Sequence, residues 1–335
     1  MRLRRGHRGG GGGAAGSAHA TARPVLASLV LLATVAGPAG AAGDDAGTAG
    51  GPADLSVGLE VSGVHRSAVL VLPPERSVAP RRRPPLLVVL HGVGMRGSDM
   101  RSLGFDAMAA RQGVVVAYPD AWHGSWNDGR PGLEPASPDD VVDDVAFLRS
   151  LISEVGARAG ADTARVAVVG FSNGALMAGR LACDAPAGVV AVGLVAGTVG
   201  EGFASSCTPS GRLPVVVVAG TGDATVPYGG GQIADFNGRK RGRVAGVGEF
   251  LAFWRAVDGC GAVAEAPVPG AAVAVSRIEW RECDRGGAVV HYRIEGGGHD
   301  WYRVGGFDTT AAVWRFVTPW LGISASPGRP WTAPT

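Results

Sequence analysis

A serine between two glycines, an aspartate and a histidine are the residues of this chain best suited to chemistry. Ser172 stands in Gly170-Phe171-Ser172-Asn173-Gly174, with a β-branched run before it at 166–169 and a helix-forming run after it. Strand, Gly-x-Ser-x-Gly and helix, in that order, describe a nucleophile elbow, a sharp turn that pushes the serine hydroxyl out over the end of a sheet. Gly170 and Gly174 lack the Cβ that would collide across so tight a turn. A serine hydroxyl is a weak nucleophile at neutral pH and needs an adjacent base. A neutral histidine, held in one tautomer by a buried carboxylate, supplies it.

Two later stretches fit that need. Asp223 follows the apolar run 214–219 in Gly220-Thr221-Gly222-Asp223, and His299 follows the run 288–293 in Glu295-Gly296-Gly297-Gly298-His299. Taken singly, Ser172 reads equally well as a helix cap, Asp223 as an Asx-turn residue and His299 as a surface side chain. Their order, Ser then Asp then His, and their placement after strand-like runs favour a catalytic triad Ser172, Asp223 and His299. The other histidines fit less well. His7 and His19 fall in the N-terminal segment, His65 and His123 in loops before the serine, and His291 inside a strand-like run. The run 86–90 breaks into His91-Gly92-Val93-Gly94, a turn whose backbone is free to face an oxyanion. Val93 and Asn173 are the expected backbone N–H donors there, with His91 orienting the loop at the substrate end rather than acting as base. Trp126 and Trp301 either wall the substrate site, where a flat acyl group or a sugar face would suit an aromatic surface, or pack in the core, the two readings standing equal for Trp126.

Such residues need strand ends to hold them. Strand-like runs recur at 55–61, 68–72, 86–90, 114–118, 166–169, 189–195, 214–219 and 288–293, and from 86 onward they are short and almost wholly apolar. Buried parallel strands have that character. Helical patterns fall between them at 139–155, 173–183, 246–257 and 309–321. Alternation of this kind predicts an α/β fold with a doubly wound, mostly parallel sheet flanked by helices, whose reactive residues gather at the carboxyl ends of the strands.

The chain has 335 residues, 46% hydrophobic and 18% charged, which suits one large domain with a substantial core. Its formal charge of +2 misleads. Arg2, Arg4, Arg5, Arg8 and Arg23 all precede Asp44, the first acid, and 31 basic residues less those five leaves 26 against 29 acidic. A weakly acidic body gives no reason to expect nucleic acid as partner. The basic start, an apolar run at 25–35 and Ala39-Gly40-Ala41 together predict an export signal over 1–42, cleaved near Ala41-Ala42. The apolar run is too short for a stable membrane anchor. A flexible lead over 43–54, a single catalytic domain over 55–321 and a disordered tail over 322–335 complete the expected organisation. Cys183, Cys207, Cys260 and Cys283 allow three disulfide pairings, and an oxidising compartment favours bonding over free thiols. The two short loops, Cys183–Cys207 and Cys260–Cys283, are the favoured pairs. The spacing, with no Cys-x-x-Cys, does not suit zinc.

Together these residues resemble the secreted polyhydroxybutyrate depolymerase and feruloyl esterase-like family, carbohydrate esterase family 1 in the broad sense, over about residues 68–321. The resemblance rests on His91-Gly92, Tyr118-Pro119-Asp120, Trp126-Asn127, the run 143–148, the Gly-x-Ser-Asn-Gly elbow, Gly-Thr-x-Asp with Val226-Pro227-Tyr228, and Gly-Gly-Gly-His-x-Trp ending at Trp301. It implies an α/β-hydrolase fold and a secreted serine esterase acting through an acyl-enzyme, with no cofactor or metal. The partner it implies is an ester, whether small molecule, oligomer or plant polysaccharide ester. Val93 and Tyr302 depart from the pattern, which often has cysteine at the first position and proline at the second. Asn173, and the lack of a separate polymer-binding module, lean toward soluble feruloyl or acetyl esters. A polyhydroxybutyrate oligomer depolymerase is the first alternative. A serine peptidase and a non-catalytic binding protein on the same scaffold are the others. Asp143 and Asp144 either touch substrate or cap a helix.

Overall fold

In the computed structural model the residues that can be described are 52–78, 82–133, 142–184, 188–234, 238–284 and 286–323, all within one unit, Ala49–Thr335. The expected export signal, most of the lead and the tail beyond Ile323 lie outside them.

Six parallel strands form the centre. They are β3 (Pro85–Leu90), β4 (Val115–Pro119), β5 (Asp162–Phe171), β6 (Val189–Val195), β7 (Val215–Gly220) and β12 (Val289–Ile294). Every residue of β3, β4 and β7 is buried, as expected of strands covered on both faces. An antiparallel hairpin extends each edge: β1 (Ala53–Val61) with β2 (Val64–Leu72), and β10 (Val263–Pro267) with β11 (Val275–Trp280). The ten-stranded order is β1-β2-β4-β3-β5-β6-β7-β12-β11-β10. Two short antiparallel pairs stand apart: β8 (Gly231–Ala234) with β9 (Lys240–Val244), and β13 (Arg303–Val304) with β14 (Phe307–Asp308).

Side chains alternate between the two faces with the strand period of two, so one strand feeds two cores. Leu86, Val88 and Leu90 pack with α2 (Asp144–Ala159), α3 (Asn173–Asp184) and α4 (Val247–Val257). Leu87 and Val89 pack with α1 (Phe105–Gln112) and α5 (Thr309–Val317). Strand order reverses between β3 and β5, and the crevice beyond the carboxyl ends of strands at such a switch is where ligands bind in open α/β sheets. The His91–Gly94 turn and Ser172 leave from those two ends.

The expected strands and helices are present with shifted ends. The lead expected to run to residue 54 gives way to β1 at Ala53. Helix α2 begins at Asp144 because the Asp143 side chain caps it, accepting from Ala146 N at 2.9 Å. Helix α5 stops at Val317, four residues before the expected end. Both favoured disulfides form, Cys183–Cys207 and Cys260–Cys283, closing loops of 24 and 23 residues. Loops of that length give about 3 kcal/mol of stabilisation each on a chain-entropy account.

Candidate active site

Ser172 sits at the end of β5 with φ of 54°, a left-handed backbone that a side chain rarely adopts. The surroundings hold it there. Its N–H donates to Val195 O at 2.9 Å, and its carbonyl accepts from Ala175 N at 2.9 Å and Leu176 N at 3.1 Å. A Cβ on Gly170 would run into the Gly174 backbone, and one on Gly174 into the carbonyls of Leu90 and His91. Both glycines are therefore fixed by contact at the elbow.

Asp223 leaves the end of β7 and is buried. Its Oδ1 accepts from Thr225 N at 2.9 Å and Val226 N at 2.8 Å, so it does form an Asx turn. Its Oδ2 is thereby left facing His299, which leaves the end of β12 by the glycine loop. His299 Nδ1–H donates to that Oδ2 at 2.7 Å, and His299 Nε2 accepts from Ser172 Oγ at 2.9 Å. A hydroxyl bonded to an imidazole whose far nitrogen is tied to a buried carboxylate can lose its proton as the oxygen attacks a carbonyl. The two loops lock by backbone contact. Gly222 N donates to Gly297 O at 2.9 Å and Gly296 N to Thr221 Oγ1 at 2.8 Å.

The glycine turn after β3 runs beside the elbow. A Cβ on Gly92 would lie 3.4 Å from Ser172 Cβ and 3.2 Å from the Phe171 ring. Val93 follows with 63% of its surface exposed. Asn173 opens α3, where first-turn N–H groups have no intrahelical acceptor.

Trp126 and Trp301 take the core-packing alternative, and His91 lies within the loop that it is expected to orient. Trp126 is fully buried, its ring stacked on Phe147 at 6.5 Å, so it belongs to the core. His91 is buried too. Its Nδ1–H donates to Gly92 O at 2.7 Å and its Nε2 accepts from Ala121 N at 2.9 Å. Burial holds its pKa below the usual histidine value, so it stays neutral with both nitrogens used internally. Trp301 is 9% exposed, bonds Thr310 Oγ1 at 2.9 Å and packs edge-on to Phe171, whose ring lies 5.4 Å from His299. It therefore backs the wall instead of forming it.

Sequence reasoning passed over a charged layer behind the elbow. Asp144 is buried and accepts from Arg66 Nη2 at 2.6 Å and Asn127 N at 2.7 Å. Asp128 is buried and accepts from Arg130 Nη1 at 2.6 Å and Asn173 Nδ2 at 2.7 Å. Burial raises the pKa of Asp128 against the pull of Arg130. Spaced acids in a loop carry no signal of burial, although Trp126-Asn127-Asp128 adjoins a noted motif. Trp122 and His123 stack at 4.4 Å in the same segment, with Trp122 half-buried. Among the described residues no group of three or more His, Cys, Asp or Glu side chains could hold a metal ion. None of their helices is long and apolar enough to cross a membrane.

Comparison with known proteins agrees with this geometry. The family model described as Esterase PHB depolymerase matches residues 66–220, a span that includes the elbow and the His91–Gly94 turn but stops before Asp223. NocK of Nocardia uniformis subsp. tsuyamanensis, assigned as an esterase, is 36% identical over 136 residues, 39% of each chain. Feruloyl esterase B of Piromyces equi is 28% identical over 224 residues, 64% of this chain and 39% of that protein. The chain thus spans about two fifths of the curated relatives it matches. The acetyl xylan esterase from Aspergillus awamori superposes with a TM-score of 0.54 at 13% identity, over 81% of this chain and 100% of that one, a likeness of fold. With the family match, the two relatives, the six-stranded parallel centre and the Ser172 elbow in agreement, the chain is similar to esterases and has the α/β-hydrolase fold.

Proposed function

We propose that the protein is an exported carboxylic ester hydrolase that works through Ser172, His299 and Asp223 and acts on soluble feruloyl- or acetyl-type esters. His299 takes the Ser172 proton as the oxygen attacks the ester carbonyl, and Asp223 stabilises the imidazolium. The amides of Val93 and Asn173 hold the oxyanion. The alcohol leaves with the proton from His299, and water clears the acyl-enzyme by the same route. The pair of hydrogen bonds from Asp223 through His299 to Ser172 carries this reading. Export is supported by the two disulfides, which form in oxidising compartments. The match to the depolymerase family model favours a second reading, hydrolysis of hydroxybutyrate oligomers.

Ser172→Ala tests the chemistry. Its kcat on p-nitrophenyl acetate is expected to fall by about 10⁴-fold or more with an unchanged circular dichroism spectrum. Full activity in that variant would end the proposal. Labelling by a fluorophosphonate separates an enzyme from a binding protein on this scaffold. Relative kcat/KM on methyl ferulate, acetylated xylan and hydroxybutyrate oligomers then decides between the two substrate readings.

A further inference from the structure

An oxyanion hole made from the ends of two strands has a positioning problem. Its two N–H groups must both point at one oxygen, at about 3 Å, yet they belong to segments with no covalent tie. Here the segment 121–128 touches both. On the side of the glycine turn, Ala121 N donates to His91 Nε2 at 2.9 Å, Gly94 N donates to Gly124 O at 2.8 Å, and Trp126 Nε1 donates to His91 O at 2.9 Å. On the side of the elbow, Trp126 N donates to Asn173 Oδ1 at 2.8 Å, while Asn173 Nδ2 donates to Trp126 O at 3.1 Å and Asp128 Oδ2 at 2.7 Å.

We infer that Trp126 and Asp128 are positioning residues that hold the Val93 and Asn173 amides in register, an inference that rests on the proposed esterase mechanism. Trp126 is the joint. Its indole grips the carbonyl two residues before Val93, and its backbone grips the side chain of Asn173. Both contacts are buried, where a fixed hydrogen bond strongly restricts orientation. The Asn173 amide can face only one way. Its NH2 meets a carboxylate and a carbonyl, which only accept, and its oxygen meets an N–H. Asp128 is the anchor below it. A bare carboxylate there would oppose negative charge developing on the substrate, but Asp128 is paired with Arg130 Nη1 at 2.6 Å and accepts from Arg130 N at 3.1 Å. The asparagine after the nucleophile is thus a peg in the scaffold, and its backbone N–H is the part that meets substrate.

Trp126→Phe keeps an aromatic ring in the core and removes the indole N–H together with the rest of the bicycle. In the full chain, kcat on p-nitrophenyl acetate is expected to fall about tenfold with KM within about twofold, since a small displacement of aligned groups costs rate before it costs ground-state binding. The affinity for a trifluoromethyl ketone, which forms a tetrahedral adduct at the serine, should fall by the same factor, while inhibition by the product alcohol stays unchanged. A merely structural role would not couple kcat to the ketone in this way. Should Trp126→Phe fail to fold, Asp128→Asn carries the same paired measurement from the other side of the joint. A folded variant with unchanged kcat and unchanged ketone affinity overturns the inference. Ser172→Ala separates the two levels: activity surviving in Ser172→Ala removes the mechanism itself, whereas a dead Ser172→Ala beside a fully active Trp126→Phe removes only the positioning role.

Discussion

Behind the Ser172 elbow lie two buried ion pairs: Arg66–Asp144, which also bonds Asp120 O and Asn127 N, and Arg130–Asp128, which also accepts from Asn173 Nδ2. Behind the Asp223 and His299 loops the buried ionisable groups bond neutral partners. His291 on β12 donates from Nδ1 to Val217 O at 3.0 Å and accepts at Nε2 from Tyr228 OH at 2.9 Å. Asp258 accepts from Leu213 N and Ala288 N, both at 3.0 Å, just before β7 and β12 begin. The Ser172 half is therefore held by side-chain charge, and the Asp223–His299 half by backbone contact between glycine loops. Paired charges tolerate a pH change but not the loss of a partner. Close backbone contact tolerates a change of charge but not an added methyl.

The largest test of that contrast is Gly220→Ala. The new methyl would collide with the Gly297 carbonyl and the Tyr302 hydroxyl, pushing the Asp223 loop from the His299 loop. A displacement of about 1 Å in catalytic groups costs on the order of a hundredfold in rate, and overpacking of this kind about 2 kcal/mol in stability. Urea midpoints and kcat/KM on p-nitrophenyl acetate measure both. Full activity in Gly220→Ala would show that backbone approach is not what aligns His299.

How much of this was legible in the sequence follows from the same contrast. The glycine loops after 214–219 and 288–293 announced themselves, because a tight backbone approach demands glycine and glycine is visible by type. The charged layer did not. Asp128, Arg66 and Arg130 look like solvated residues until the fold buries them, and Asp144 like a substrate contact or a helix cap. The same blindness left Trp126 and Trp301 open between wall and core, since an aromatic residue near a site motif packs equally well beneath it. Helix α1 was missed because it is short and starts from Gly104, at φ of 89°, without a polar side-chain cap. The β10–β11 pair was missed because its strands are largely exposed or half-exposed and lack an apolar run. Asp143 and Asp144 resolve into a helix cap and half of a buried ion pair.

Unpaired buried groups make the Asp223–His299 half sensitive to pH. Burial depresses the His291 pKa to about 4, so its stabilising effect is present above the unfolded value of about 6.5 and is lost as pH falls toward 4. Burial raises the Asp258 pKa to about 6, so its contribution is present below about 3.9 and is lost as pH rises through 6. Over pH 4–6 the two oppose each other, and the wild-type stability should be nearly flat there. Asp258→Asn removes one slope and exposes the other. The variant is expected to lose about 3 kcal/mol of stability between pH 6.5 and 4, read as a shift of the urea midpoint. His291→Gln should tilt the profile the opposite way, losing stability from pH 4 to 6. A constant penalty from the altered hydrogen bonds moves the level of either curve and leaves the slope. Parallel, flat curves for wild type and both variants would remove the distinction between paired and unpaired halves.

Tyr302 gives the smallest and most local test. It stands where the family pattern has proline, and it is buried with its hydroxyl against the glycine loop, donating to Gly298 O one residue before His299. Burial pushes the phenol up to about 12, so it keeps its proton across any working pH and acts as a fixed donor. Tyr302→Phe deletes that bond and leaves the ring in place. A single neutral hydrogen bond is worth about 1 kcal/mol, so the variant should lose about that much stability and about fivefold in kcat/KM. The rate loss should be the same at every pH from 6 to 9, because no titrating group has been removed. Ser172 labelling by a fluorophosphonate should slow by the same factor, since the loop that carries His299 has loosened. A rate loss that grew or vanished across that range would mean that Tyr302 acts through charge, and that the Asp223–His299 half is held by more than backbone and one phenol.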